Sequence, residues 1–318
     1  MNATQSMSAP AASPAMRGVL SPVLTPFRAD LSVDKAMLTA QCQWLLRCNV
    51  GLAVFGTNSE GNSLSVSERS DLVQHLVGQG IDPTRMMPGT GGCALPDVVS
   101  LTQACLDAGV NNVLVLPPFY YKGVSDEGLF SFFSELIERV GSSDLRVYLY
   151  HIPPVSQIGF SMELIERLLN AYGPIIAGAK DSGGQWPNTA AMIERFASRG
   201  FSVFAGSENF LMRTLRAGGA GCISATANVN PAAISALCSQ WTAADADAQQ
   251  ERLDGVRALF AAMPMIPAMK TAVAEATGQM DWKRLRPPLV SLDEGQALQL
   301  RTSMQSAGFE MKIDYSAS

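Results

Sequence analysis

Pro174-Ile175-Ile176-Ala177-Gly178-Ala179-Lys180-Asp181-Ser182-Gly183-Gly184 is a short apolar run that ends on a lysine and breaks into a glycine-rich turn. Continuous apolar runs of this length, bounded by turn residues, have the pattern of strands buried on both faces. The same unit recurs from about Arg17 onward, at residues 19–24, 52–56, 85–89, 112–116, 146–152, 175–179, 202–206 and 221–224. Stretches of helical periodicity follow these runs, among them 34–48, 66–77, 96–108 and 162–169. Eight strand–helix units predict an α/β protein, a (β/α)8 barrel. Ser65-Val66-Ser67-Glu68 is a capping box and Ser207-Glu208 opens the segment after the seventh strand, which helps fix the register of the count. An open doubly wound sheet would carry a phosphate-binding glycine fingerprint at its first strand–helix turn, and Leu24-Thr25-Pro26-Phe27 has none. Beyond Trp241 the pattern is helical only, over 243–262, 266–277 and 291–306. The expected division is a disordered Ala/Ser/Pro-rich leader over 1–15, a catalytic barrel over 16–238 and a helical subdomain over 239–318.

Composition narrows the function classes. With 47% hydrophobic and 16% charged residues, the chain is that of a globular protein with a sizeable core. Net charge is −5 and the basic residues are dispersed, so no electrostatic footprint for nucleic acid or an anionic membrane is present, and no stretch is long and apolar enough to span a bilayer. Small-molecule partners are favoured. Six cysteines without a Cys-x-x-Cys pair, and only two histidines, give no metal-ligand spacing; isolated cysteines in apolar segments fit a reducing compartment, with cytoplasm the default.

In a barrel of this kind the site forms at the carboxyl ends of the strands. Lys180 ends the sixth apolar run, and of six lysines it alone closes a strand-like segment. Removing an ammonium from water disfavours its charged form and frees an amine that attacks ketones; the alternative is a lysine snorkelling from the strand end to solvent. After the second run, Gly56-Thr57-Asn58-Ser59-Glu60-Gly61 offers hydroxyl, amide and backbone N–H groups suited to a carboxylate. Pro117-Pro118-Phe119-Tyr120-Tyr121 follows the fourth run, and the fifth ends in Tyr150-His151-Ile152-Pro153-Pro154. Strand alternation turns His151 to the face opposite Tyr150, as a structural histidine. Gly89-Thr90-Gly91-Gly92 lacks the Lys-Ser/Thr of a phosphate loop and reads as a tight turn. Ser207 either caps its helix or touches substrate.

These pieces together resemble the N-acetylneuraminate lyase and dihydrodipicolinate synthase superfamily of Schiff-base aldolases, over nearly the whole chain after Arg17. The matching motifs are Gly-Thr-x-x-Glu at Gly56 to Glu60, Tyr-x-x-Pro at Tyr150 to Pro153, Gly-x-Lys-Asp-Ser at Gly178 to Ser182, Gly206-Ser207-Glu208, and Gly221-Cys222-Ile223-Ser224-Ala225-Thr226-Ala227-Asn228. Ile266-Pro267-Ala268-Met269-Lys270 is similar to the family's helical tail. The resemblance implies that Lys180 forms an iminium with a 2-oxo acid such as pyruvate, without metal or cofactor. It implies Tyr150 as proton shuttle, with Thr57 and Tyr120 as relay partners. One extra residue between Pro118 and Gly128 makes Tyr121 a possible substitute for Tyr120. It also implies Asn58 with Thr57 at the substrate carboxylate, Ile223 and Ser207 lining the pocket, Glu60 and Asp181 as loop-fixing carboxylates, and a homo-oligomer, tetramer or dimer, because in many relatives the relay tyrosine crosses a subunit interface.

Two departures matter. Asn58 stands where the family usually has threonine, and Val155 replaces an arginine of the synthase branch, which removes a guanidinium fork suited to a second carboxylate and argues against dihydrodipicolinate synthase proper. Aldol cleavage or condensation and dehydration of a 2-keto-3-deoxy sugar acid share the same iminium, and both stay open. A 2-oxo acid binding protein without turnover and a metal-dependent aldolase are the readings from other classes.

Overall fold

The apolar runs form strands that are buried along almost their whole length, β1 (Gly18–Ser21), β2 (Gly51–Leu52), β3 (Asn112–Val115), β4 (Arg146–His151), β5 (Ile176–Asp181), β6 (Ser202–Ala205) and β7 (Gly221–Ile223). They come from a computed structural model that describes residues 15–315, so the expected leader, Ala15 apart, lies outside the described residues. All pair in parallel in the order β2-β1-β7-β6-β5-β4-β3. The gap between β2 and β3 is filled by residues 86–90, which pair at two points only, Leu52 with Met86 and Gly89 with Leu114. Four backbone bonds hold this seam: Met87 N–H to Leu52 at 2.8 Å, Gly89 N–H to Val54 at 2.7 Å, Leu114 N–H to Pro88 at 2.8 Å and Thr90 N–H to Leu114 at 3.1 Å. The ring is thereby closed into a (β/α)8 barrel. The expected third strand over 85–89 is corrected to an irregular segment, because Pro88 has no N–H to give to a ladder and Arg85 belongs to the turn Pro83–Arg85.

Strand alternation splits the core in two. Leu20, Ala53, Met87, Leu114, Tyr148 and Phe204 fill the barrel, while Val113, Val147, Leu149, Val203 and Cys222 pack outward against the helices. β4 and β5 are out of simple step: Val147 pairs with Ile176 but Tyr148 pairs with Gly178, which leaves Ala177 as an extra residue in β5. Gly178 faces the barrel, where a Cβ would lie 2.8 Å from the Tyr148 ring and closer still to the Ser202 carbonyl oxygen. The absent side chain is what makes room for the buried tyrosine.

The chain then forms the helices Ala246–Ala261, Met265–Thr277 and Glu294–Ser306, the last started by a capping box at Asp293. No single helix among the described residues is long and apolar enough to cross a membrane. This helical part is fastened to the carboxyl end of the barrel. Arg286 grips both oxygens of Glu68 and donates to the Ser63 carbonyl at 2.7 Å, and its own N–H bonds Glu60 at 3.1 Å. Glu68 is also the second half of the Ser65 capping box, so one carboxylate fixes a helix start and the crossing segment together.

Candidate active site

Lys180 lies within β5 rather than past its end, and it is 2% exposed, which removes the snorkelling alternative. Its Nζ donates to the Tyr150 hydroxyl at 3.2 Å and sits 4.3 Å from that ring's centroid. Tyr150 and Lys180 are direct partners across β4 and β5, so both point into the barrel. The Tyr150 hydroxyl is in turn 3.2 Å from Thr57 Oγ1. Lysine amine, phenol and threonine hydroxyl thus form a continuous hydrogen-bonded line at the carboxyl end of the barrel.

Thr57 is held by a tight turn, Thr57–Ser59, that Glu60 closes in the left-handed region at φ 56°. Thr57 borders a cavity of about 20 Å³, room for about one water, with Tyr150, Leu116 and Gly91. Asn58, one residue on, borders instead a groove of about 410 Å³ against Met265, Ile266 and Pro267. Ile223 is fully buried in the same interior cluster as Tyr150. Ser207 caps the short turn Glu208–Phe210, accepting from Asn209 N–H at 3.3 Å and donating to Asn209 Oδ1 at 2.8 Å. The structure does not bring Tyr120 to this line of groups: it is 73% exposed, and its ring meets Tyr121, itself 74% exposed, edge to face at 5.3 Å. A hollow of about 670 Å³ opens at the opposite end of the barrel around Gly18, Gly51 and Asn112, away from the lysine.

The neighbouring charges are all engaged. Asp181 accepts from Gly183 N–H at 2.9 Å, Asn188 at 3.0 Å and Thr189 at 2.7 Å, which fixes the turn after Lys180. His151 faces outward, its Nδ1 accepting from Phe160 N–H at 3.0 Å, so the neutral ring carries its proton on Nε2; burial holds it below the usual histidine range, against the pull of Asp181. Glu208 is buried and accepts from the Ser224 and Thr226 hydroxyls and from Arg257. Glu60 forms a fully buried ion pair with Lys270 at 2.5 Å, and Lys270 also donates to the Arg284 carbonyl at 2.7 Å. Burial pushes the Lys270 ammonium down to about 8, against the pull of Glu60. Sequence reasoning placed Lys270 only in a tail motif and gave it no role; the available signal was a lysine surrounded by apolar residues on its helix, from Ile266 to Ala274.

A closed parallel barrel with its polar line at the carboxyl ends of the strands defines a (β/α)8-barrel enzyme. The pattern of the dihydrodipicolinate synthetase family matches residues 15–307, and the chain belongs to that family, whose members are lyases and aldolases. It is similar to an uncharacterized DapA-like lyase of Chloroflexus aurantiacus, 32% identical over 91% of this chain and 96% of the relative. Dihydrodipicolinate synthase from Agrobacterium tumefaciens superposes with a TM-score of 0.84 at 31% identity, covering 91% of this chain and 99% of the other. YagE from E. coli K12, a prophage protein of the dihydrodipicolinic acid synthase family crystallised with pyruvate, superposes with a TM-score of 0.85 at 26% identity, covering 92% and 99%.

Proposed function

We propose that the protein is a class I aldolase-type lyase that binds pyruvate or another 2-oxo acid as an iminium on Lys180. The observation that carries this is the buried Lys180 amine on the Tyr150 hydroxyl, itself on Thr57, with 3.2 Å at each step. A relative that was crystallised with pyruvate supports the choice of ligand. The amine adds to the 2-oxo carbon and water leaves, giving an iminium. In cleavage of a 4-hydroxy-2-oxo acid, Tyr150 takes the C4 hydroxyl proton through Thr57, and the C3–C4 electron pair flows into the iminium. The aldehyde departs, the enamine is protonated at C3, and water releases pyruvate and the free lysine. Condensation is the reverse. The Thr57 turn, with the backbone N–H groups of Thr57 and Asn58, would hold the C1 carboxylate, and Ile223 would form the floor beneath it. No metal or cofactor enters this chemistry. Dihydrodipicolinate synthase proper is set aside on Val155, and loss of water from a sugar acid remains the second outcome of the same iminium.

Catalysis belongs to residues 16–238 in this proposal, with a cytoplasmic location and a homo-oligomer, dimer or tetramer. The exposed Tyr120–Tyr121 pair supports an interface at this face. The deciding experiment is borohydride reduction with saturating pyruvate followed by peptide mass mapping. A reduced pyruvyl group on Lys180, absent in Lys180→Ala, is expected; an unmodified Lys180 rejects the proposal.

A further inference from the structure

A ring of arginines marks the amino end of the barrel, away from Lys180. Every second member of the ring is entered from one: Arg17 directly before β1, Arg85 directly before residues 86–90, Arg146 as the first residue of β4, and Arg199 three residues before β6. The members between them are β2, β3, β5 and β7. Two adjoining hollows open at this end. One, of about 670 Å³, is lined by Arg17 and Arg85, the other, of about 360 Å³, by Arg146 and Arg199, and Asn112 lines both. No Asp or Glu among the described residues lines either hollow, and residues 1–14 contain neither. The acceptors of the four guanidiniums are all neutral. Arg17 donates to the Gly219 carbonyl at 3.0 Å, Arg85 to the Asn49 amide oxygen at 3.4 Å, Arg146 to the Ser143 and Leu145 carbonyls at 2.8 Å each, and Arg199 to the Asn170 amide oxygen at 2.8 Å. Elsewhere in this chain of net charge −5, Arg28, Arg139, Arg167, Arg195 and Arg286 each meet a carboxylate.

We infer that the amino end of the barrel is a second ligand site, which binds an organic bisphosphate with one phosphate in each hollow. Four like charges gathered at one mouth repel one another, and a concave surface concentrates the field that an approaching anion meets. Each guanidinium gives only one or two of its five N–H groups to the acceptors above, and the planar fork that remains suits a phosphate. Two phosphate esters carry about −3 to −4 at neutral pH, which balances four guanidiniums, whereas a single phosphate would engage one pair only. Asn112, 8% exposed and with no hydrogen bond from its side chain among the described residues, stands at the seam of the two hollows, where its amide can serve the link between the phosphates. The larger hollow alone has the size of a small-molecule site.

The test is equilibrium binding to the full chain by titration calorimetry at constant ionic strength. The probes are 1,6-hexanediol bisphosphate, hexyl phosphate, inorganic phosphate and the dicarboxylate adipate, none of which has a ketone or aldehyde to meet Lys180. The bisphosphate should bind at least about tenfold more tightly than hexyl phosphate or inorganic phosphate, because its first phosphate delivers the second. It should also bind about tenfold more tightly than adipate, which carries about half the charge. Arg85→Gln and Arg199→Gln, on opposite members of the ring, should each weaken the bisphosphate by about tenfold or more, and together they should abolish its advantage over hexyl phosphate. Arg28→Gln removes one charge in the loop after the carboxyl end of β1 and should leave binding unchanged. Thermal unfolding shows whether each variant is folded, and the comparison of probes on the wild-type protein decides without them. Equal affinities for the bisphosphate and hexyl phosphate, no binding at millimolar concentration, or a loss in Arg28→Gln as large as in Arg85→Gln overturns the inference. Adipate binding as tightly as the bisphosphate overturns the assignment to phosphate. No arm of the test depends on an iminium at Lys180.

Discussion

Lys270→Met would strand the Glu60 carboxylate in the core. Both side chains of the pair are 0% exposed, and with the ammonium gone Glu60 keeps only the Arg286 N–H at 3.1 Å. Breaking a buried pair by removing one partner costs about 3–5 kcal/mol, because the remaining charge has no compensation, and the lost bond to the Arg284 carbonyl adds about 1 kcal/mol. At about 2.1 cal/mol/K per residue, 318 residues give an unfolding entropy near 0.7 kcal/mol/K, so the single variant should melt about 6–9 °C below wild type. Adding Glu60→Gln removes the uncompensated charge while the amide oxygen still accepts from Arg286. The double variant should therefore recover to within about 1–2 kcal/mol of wild type, although it carries one more substitution. The assay is thermal and urea unfolding of wild type, both singles and the double. A Lys270→Met protein within about 1 kcal/mol of wild type, or a double variant no more stable than Lys270→Met, would refute the argument that desolvated charge dominates here.

Tyr150→Phe keeps the ring over Lys180 but cuts the line to Thr57; kcat should fall by about 10²–10⁴ while pyruvate still traps on Lys180, and a kcat within a few-fold of wild type would remove Tyr150 as the shuttle. Gly178→Ala drives a methyl against the Ser202 carbonyl and the Tyr148 ring, at a cost of about 3 kcal/mol in chemical denaturation; a neutral result would mean that β5 shifts freely. The Arg286 fork holds Glu68 down at about 2 from an ordinary 4.5. The unfolded chain takes up this proton near pH 4.5 and the folded chain only near 2, so the stabilisation is whole above 4.5 and is lost as pH falls through that window. With the side chains 17% and 34% exposed, it amounts to about 1 kcal/mol. Glu68→Gln should flatten that part of the stability profile, and an unchanged acid limb contradicts the assignment.

Barrel strands are unusually readable because burial on both faces leaves continuous apolar runs, and Ser65 shows how a cap fixes a helix start from four residues. The third run has the apolar content of a strand, but Pro88 lacks the N–H that a ladder needs, and the missing donor outweighs hydrophobicity. Lys180 and Tyr150 were legible since strand ends of a barrel converge on one rim. Lys270 was not, because a lysine within a helix defaults to solvent and only tertiary packing shows that its end of the helix is covered. Asn58 marks the other limit: sequence position places it near the rim, but the direction of a loop side chain depends on what packs over it, here Met265 to Pro267.

The supernumerary Ala177 ties the chemistry to a bulge in β5 as well as to composition. With Ala177 counted in and the ladder run in simple step from Val147–Ile176, Ala179 would lie beside Tyr150 and Lys180 beside His151, among the side chains that face the helices. The bulge takes Ala177 out of the count and so keeps Lys180 beside Tyr150; deleting Ala177 would leave the same pairs in a regular ladder, whereas losing the bulge at unchanged length would turn the nucleophile to the wrong side of the wall. A homologous chain one residue shorter between 176 and 178 should therefore keep its lysine beside the tyrosine, in a ladder without the bulge.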